Sequence, residues 1–311
     1  MESLHFQTDE CGRLAELAAR SGWEMHCIQI EPGEFRGVCD IALLPGLRIC
    51  LGNFSPALRI HAKVPDGWRA LAMADGGACF RGRTLGNGAL CYIVPGDPAF
   101  WQTPADHAAD TVMIEAAILD QAIQELSGDS LAKCLPHTAV LGISPEYLAP
   151  LRRLLRAIVS EATTATVEGE NSCRVLAGSL IRTLAVLLTM PEVGSRPPAH
   201  SSPEACHVAA ALALMEKHPG RAWSLRELCQ HADVCPRTLQ TSFLRQTGVG
   251  PNRFVRELRL NRVRSRLRGA RRGSESVKQI AIEHGFNHLG HFSRDYVTLF
   301  GELPSQTLCN E

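Results

Sequence analysis

The chain has no CxxC pair, no HxH pair, no glycine-rich phosphate loop and no GxSxG turn. Each absence excludes a chemistry. Without clustered thiols a structural zinc site or a dithiol redox centre has no ligand set. The twelve cysteines, at 11, 27, 39, 50, 79, 91, 134, 173, 206, 229, 235 and 309, are nowhere closer than six residues. In a large chain without secretion signals they are expected to be reduced, small core residues. His5, His26, His61, His107, His137 and His200 are isolated along the N-terminal part. A metal-dependent barrel enzyme is therefore not expected, and neither is a bound metal or cofactor. The opening "MESLHFQTDECGRLAEL" is charged and lacks an apolar signal region. A membrane span of ~18 apolar residues is not expected, and a cytoplasmic location is.

Net charge is also absent overall, but it is unevenly divided. Residues 203–311 hold sixteen Lys and Arg against ten Asp and Glu, a difference of +6; residues 1–202 hold sixteen against twenty-two, a difference of −6. A basic C-terminal part suggests a polyanionic partner, although a solvated charged face has the same composition.

Three regions are legible along the chain. Residues 1–190 are expected to form one domain, 191–203 a linker and 204–311 a second domain. In the first, "EMHCIQI", "VCDIALL", "LRICLGNF", "RIHAKV", "RALAMA", "ALCYIV" and "TVMIEAAI" are short β-like runs separated by Gly, Pro, Asn and Asp. They predict a small barrel or sandwich. Its Ile, Leu, Val and Ala would suit a small, partly apolar ligand. Phe100 and Trp101 stand either at a pocket mouth or as core plugs. Apolar stripes at three and four follow: Leu148, Leu151, Leu154, Leu155 and Ile158, then Val175, Leu176, Ser179, Leu180, Leu184, Leu187 and Leu188. These predict helices over 147–159 and 173–188, packed either on the barrel or against a second chain. "PEVGSRPPAHSSP" has four prolines and no apolar period, as a linker would. Beyond it the chain reads as all helix, near 204–217, 224–232, 236–246, 251–268, 276–284 and 288–300. Ser224 and Glu227 have capping-box spacing, and Pro251 has a first-turn position. The fold class is thus α+β, with an all-α C-terminal part.

That part repeats. Leu228 and Cys229 align with Ile280 and Ala281, and the turn residue Asp233 with Gly285. Leu239, Phe243 and Gly248 align with Phe292, Tyr296 and Gly301, with one extra residue in or after the second turn. Each copy is a helix, a turn and a helix with an apolar i, i+4 pair, which is helix-turn-helix spacing. Opposite that pair lie Arg237, Gln240, Thr241 and Arg245 in one copy, and His288, Gly290, His291, Ser293 and Arg294 in the other. Forked Arg and Gln side chains suit guanine and adenine edges. The join, 251–272, holds nine Arg against Glu257 alone. Its arginines would lie on phosphates or solvate a packed helix; Arg256 and Arg259 are the phosphate candidates.

At this point the sequence resembles the AraC/XylS family of transcription regulators. "PRTLQTSFLRQTGVGP", "RLNRVRSRL", "IAIEHGF" and "HFSRDYVTLFGELPS" carry the resemblance over residues 204–308. "HLGHF", the "PS-x-TL" ending and, more loosely, "WEMHCIQIEPGEFRG" resemble the branch that includes ethanolamine-utilisation regulators. The resemblance implies a cupin-like effector domain of barrel or sandwich form with helices, then two helix-turn-helix motifs. It implies contacts to double-stranded DNA by Arg237, Gln240, Thr241, Leu289, Gly290, His291, Ser293 and Arg294, with RNA polymerase, a small-molecule effector and a second copy of the chain as further partners. A front domain that only dimerises, or a barrel enzyme, are the alternatives. Cys235 departs from the family pattern, in which Ser is the usual N-cap.

Overall fold

A computed structural model describes residues 2–309 except 21, 75, 165, 191–194, 197–202, 219–220, 222 and 271–274. The chain begins with β1 (Glu2–Thr8) and α1 (Cys11–Arg20). It then runs through β2 (Glu24–Gln29), β3 (Arg36–Leu44), β4 (Leu47–Ser55), β5 (Leu58–Lys63), β6 (Trp68–Ala74), β7 (Cys79–Phe80), β8 (Arg83–Thr84), β9 (Ala89–Ile93), β10 (Ala99–Gln102) and β11 (His107–Glu115). Two helices, α2 (Ala116–Ser127) and α3 (Leu131–Cys134), lead to β12 (Ala139–Gly142). The long pair α4 (Pro145–Thr163) and α5 (Val167–Thr189) follows, then a short β13 (Ser195–Arg196). The strands form two antiparallel sheets, ordered β1-β3-β4-β11-β6-β9-β12-β13 and β2-β5-β10-β7-β8.

The period-two pattern explains how the larger sheet is covered on both faces. In β11, Ala109 and Thr111 face the second sheet across a cavity, while Val112 and Ile114 face the helices. The outer layer packs Leu47, Ile49, Leu71, Tyr92, Val112 and Ile114 against Leu119, Leu151, Leu155, Leu180 and Leu184. Trp101 lines the cavity; Phe100, one residue earlier, points the other way.

Both expected stripes are helices, and their apolar faces turn inward except at Val175, which is exposed. Leu180 and Leu184 are fully buried within one chain, in the core with Leu151 and Leu155. A seam between two chains along those residues is thereby corrected to intramolecular packing. The expectation that no stretch has a membrane-span profile also needs correction. Glu168–Thr189 is long and apolar enough by length and composition, with mean hydropathy 1.4. Of its apolar residues, Leu180, Leu184, Ala185, Leu187 and Leu188 pack the core, whereas Val175 is exposed. β1, α1, α2, β10 and the small β7 and β8 lay outside the expected elements. Among the described residues eleven cysteines are free, six of them buried.

The helical part comprises α6 (Pro203–Lys217), α7 (Leu225–His231), α8 (Pro236–Thr247), α9 (Pro251–Arg268), α10 (Val277–Glu283), α11 (Leu289–Phe300) and α12 (Pro304–Cys309). The linker expected at 191–203 lies mostly outside the described residues; Ser195 and Arg196 pair with β12. Ser224 caps α7 in a complete capping box with Glu227, and Pro251 opens α9. Helix α9 serves two cores. Its first half packs Phe254 and Val255 with Leu239 and Phe243; its second half packs Leu260, Val263 and Leu267 with Ile280, Phe292 and Tyr296. Ile28 and Phe100 of the smaller sheet join the first of these cores, so the hydrophobic interior continues from the barrel into the helices.

Candidate nucleic-acid interface

The two helix-turn-helix units are α7–α8 and α10–α11. Both turns require a left-handed residue. Asp233 takes it at φ +52° and Gly285 at φ +82°, a conformation Asp tolerates and glycine adopts freely. Leu239 and Phe243, like Phe292 and Tyr296, are buried to 1% exposure or less, which fixes the rotation of α8 and α11.

Rotation fixed in this way leaves Arg237, Gln240, Leu244 and Arg245 exposed on α8, with Thr241 half-buried. On α11 it leaves His288, Gly290, His291 and Arg294 exposed, with Leu289 and Ser293 half-buried. Arg245 pairs with Glu204 at 2.7 Å, and the Thr241 hydroxyl donates to the Arg237 carbonyl at 3.0 Å. His288 and His291 have ring centroids 6.3 Å apart. By contrast, among the described residues the side chains of Arg237, Gln240 and Arg294 make no hydrogen bond or ion pair.

The arginines of α9 behave differently. Arg253 pairs with Glu257, Arg256 with Asp295 at 3.5 Å, Arg264 with Glu302 at 3.1 Å and Arg266 with Glu275. Arg268 pairs with Asp9 of the N-terminal part at 2.7 Å. Arg259 donates to the Trp223 carbonyl at 3.2 Å and Arg262 to that of Met215 at 3.1 Å. All seven described arginines of this helix are therefore engaged inside the chain, and their first role is to staple the helical part together. Arg271 and Arg272 lie outside the described residues. Arg256 and Asp295 line a cleft between the two units with Asn287, His288 and His291.

Cys235 occupies the N-cap of α8 without capping it: its side chain accepts no backbone hydrogen bond there. Its sulfur lies 3.1 Å from the Thr238 hydroxyl. That contact with the Thr238 side chain holds this exposed thiol below the usual thiol range.

The carbonyl end of α8 abuts the barrel, a contact that sequence reasoning missed. A Cβ on Gly82, at φ +74°, would sit 1.4 Å from the Arg245 carbonyl oxygen, so only glycine lets the β7–β8 turn approach so closely. Arg59 of β5 donates to the Thr247 carbonyl at 3.1 Å and pairs with Glu257, both groups buried. Asn261 of α9 exchanges hydrogen bonds with the backbone of Gln29, accepting from its N–H at 2.9 Å and donating to its carbonyl at 3.0 Å. A charged residue inside the apolar run "RIHAKV" was the available signal. Its partner is 198 positions away, beyond any local pattern.

Residues 228–309 match the family described as "Helix-turn-helix domain". Over 95 residues the chain is 38% identical to the XylDLEGF operon transcriptional activator 2 of Pseudomonas putida, covering 30% of this chain and 60% of that protein. Over 213 residues it is 25% identical to the HTH-type transcriptional activator RhaS of Klebsiella pneumoniae, covering 68% of this chain and 72% of that one. A solved structure of a probable AraC family transcriptional regulator from Rhodopseudomonas palustris is 32% identical; the match covers 33% of this chain and 94% of that one, with a TM-score of 0.31. The chain thus spans about three fifths of the first relative, and 29–30% of the other XylDLEGF operon activators.

Proposed function

We propose that the whole chain is a sequence-specific, effector-responsive promoter-binding regulator of the AraC/XylS type and not an enzyme, a reading supported by the match of its C-terminal region to a helix-turn-helix family and to the XylDLEGF operon activators. One observation carries this assignment. The outward faces of α8 and α11 present Arg237, Gln240 and Arg294 without partners among the described residues, whereas every described arginine of α9 is engaged. Side chains left unpaired on two helices of this motif are suited to base edges in successive major-groove segments. His288, Leu289, Gly290, His291 and Ser293 form the leading edge of the second helix. Thr241 and Arg245 flank the first. Arg256 and Arg259 are secondary phosphate anchors, reached by exchanging an internal partner for a phosphate.

The effector is a small apolar molecule held between the two sheets. A cavity of about 110 Å³ there is lined by Trp23, Met25, Phe54, Ile60, Met73 and Trp101, with Thr103, His107 and Thr111 as the polar minority. Apolar walls with a few polar groups are the usual composition of a small-molecule site. The remaining partners are RNA polymerase and a second copy of the chain, at a cytoplasmic location. "HLGHF" and the "PS-x-TL" ending favour the ethanolamine-utilisation branch. The test is a titration of full-length protein into duplexes selected from random sequence, at two salt concentrations. A recovered motif, with affinity falling steeply as salt rises, is expected. Recovery of no motif would overturn the assignment.

A further inference from the structure

At the seam between barrel and helices, two strands and a helix bring together residues that sequence order keeps far apart. His26 of β2 and His61 of β5 are direct cross-strand partners, with rings stacked 6.3 Å apart at 19°. Glu216, near the end of α6, places Oε1 3.1 Å from His26 Nε2 and 3.6 Å from His61 Nδ1. Two ligands of one tetrahedral zinc-like ion, each about 2.0–2.1 Å from it, are about 3.3 Å apart. Glu24, two residues before His26, completes a set in which Glu24, His26 and Glu216 each offer a ligand atom within 4.8 Å of the others.

A second observation points the same way. His61 is 5% exposed, and among the described residues neither of its ring nitrogens has a hydrogen-bond partner, Glu216 lying just beyond that distance from Nδ1. A buried imidazole without a partner is costly unless something else binds it. The ring is held flat against Phe100, 4.8 Å away and 15° from parallel, so its edge stays turned toward Glu216.

We propose that Glu24, His26 and Glu216, with His61 as a further donor beside Glu216, form a site for a divalent ion of the zinc class that ties the barrel to α6. Two imidazoles and two carboxylates suit zinc, nickel or copper(II) better than magnesium or calcium, which prefer all-oxygen shells. Lys63, 2.7 Å from Glu24 Oε1, is the cation that an incoming ion displaces. Glu24 and His26 come from one strand, His61 from its neighbour and Glu216 from the helical part, so ligation requires the two parts to stay docked.

The test uses full-length protein and cobalt(II) or zinc(II) alone. Calorimetry should find one ion per chain, and cobalt should give d–d bands without thiolate charge transfer. His26→Asn, on the half-exposed side, and His61→Phe, which preserves the stack on Phe100, should each weaken binding by at least about ten-fold while melting curves show a folded protein. Binding of equal strength in wild type and both variants, or a spectrum dominated by thiolate charge transfer, would overturn the site.

Discussion

Single side chains separate base reading from scaffolding. Arg294 is exposed and, among the described residues, unpaired, whereas Arg256 of the connecting helix α9 is tied to Asp295 of α11. Arg294→Ala should cost on the order of 1–3 kcal/mol of DNA affinity and relax preference at one or two base pairs. Arg256→Ala should weaken all duplexes alike and flatten the salt dependence. Binding-site selection on both variants distinguishes the roles. An unchanged motif with Arg294→Ala would make that residue a backbone anchor. Cys235 is a second single-residue test. A serine there would accept the backbone hydrogen bond that the thiol does not, and Cys235→Ser should raise the melting temperature by about 1–3 °C. A fall would mean that the Thr238 contact matters more than the missing cap.

Among the elements, α5 shows most directly what burial decides. Leu184 is completely buried against α4 and the larger sheet, so Leu184→Ala should destabilise the protein by about 2–5 kcal/mol in denaturant unfolding. Its effect should be independent of protein concentration; a midpoint that shifts with concentration would restore the intermolecular seam. Helices were legible wherever the apolar period ran for several turns, as in α4, α5 and α9. Strands were legible where β-branched runs met turn residues. Missing were β1, β10 and β12, the helices α1, α2, α3 and α12, and β7 with β8. The latter two are two-residue strands defined by pairing rather than by pattern. "TVMIEAAI" reads as one strand because apolar residues continue past Glu115, where α2 takes over with its own spacing. The recognition helices were readable because the apolar i, i+4 pair fixes their rotation. The partners of the α9 arginines were not, since Asp9, Asp295 and Glu302 are brought there by tertiary packing alone.

For the whole molecule, the seam matters more than either part. Arg59 and Glu257 are both buried there, and Arg253 also pairs with Glu257. Glu257→Gln would leave Arg59 buried without its counter-charge, a change that costs about 3–5 kcal/mol in comparable pairs. Because the seam can open to water, the expected outcome is separation of barrel and helices rather than unfolding of each. Hydrogen exchange should show faster exchange at β5 and the start of α9, with α4 and α5 unaffected. Uniform protection would mean that the pair contributes little. His26 and His61, isolated along the chain, show why this seam was invisible in sequence. Their pairing is a consequence of strand register, and their shared neighbour Glu216 lies 155 residues beyond His61.

Helix α8 is gripped at its carbonyl end by the β7–β8 turn, where Gly82 rides on the Arg245 carbonyl, and its opposite end carries Arg237, a proposed base-reading residue. Linkage makes such an arrangement reciprocal. If a molecule in the cavity shifts that grip and changes operator affinity by some factor, the operator must change that molecule's affinity by the same factor, typically 5–150-fold. The promoter is then itself an allosteric effector of the barrel. A regulator seated on its site and one free in solution would respond to different concentrations of the same small molecule, so the threshold of the response is set partly by the DNA. Titrating the effector with and without operator duplex would reveal the offset, and identical midpoints would show that the grip on α8 transmits nothing.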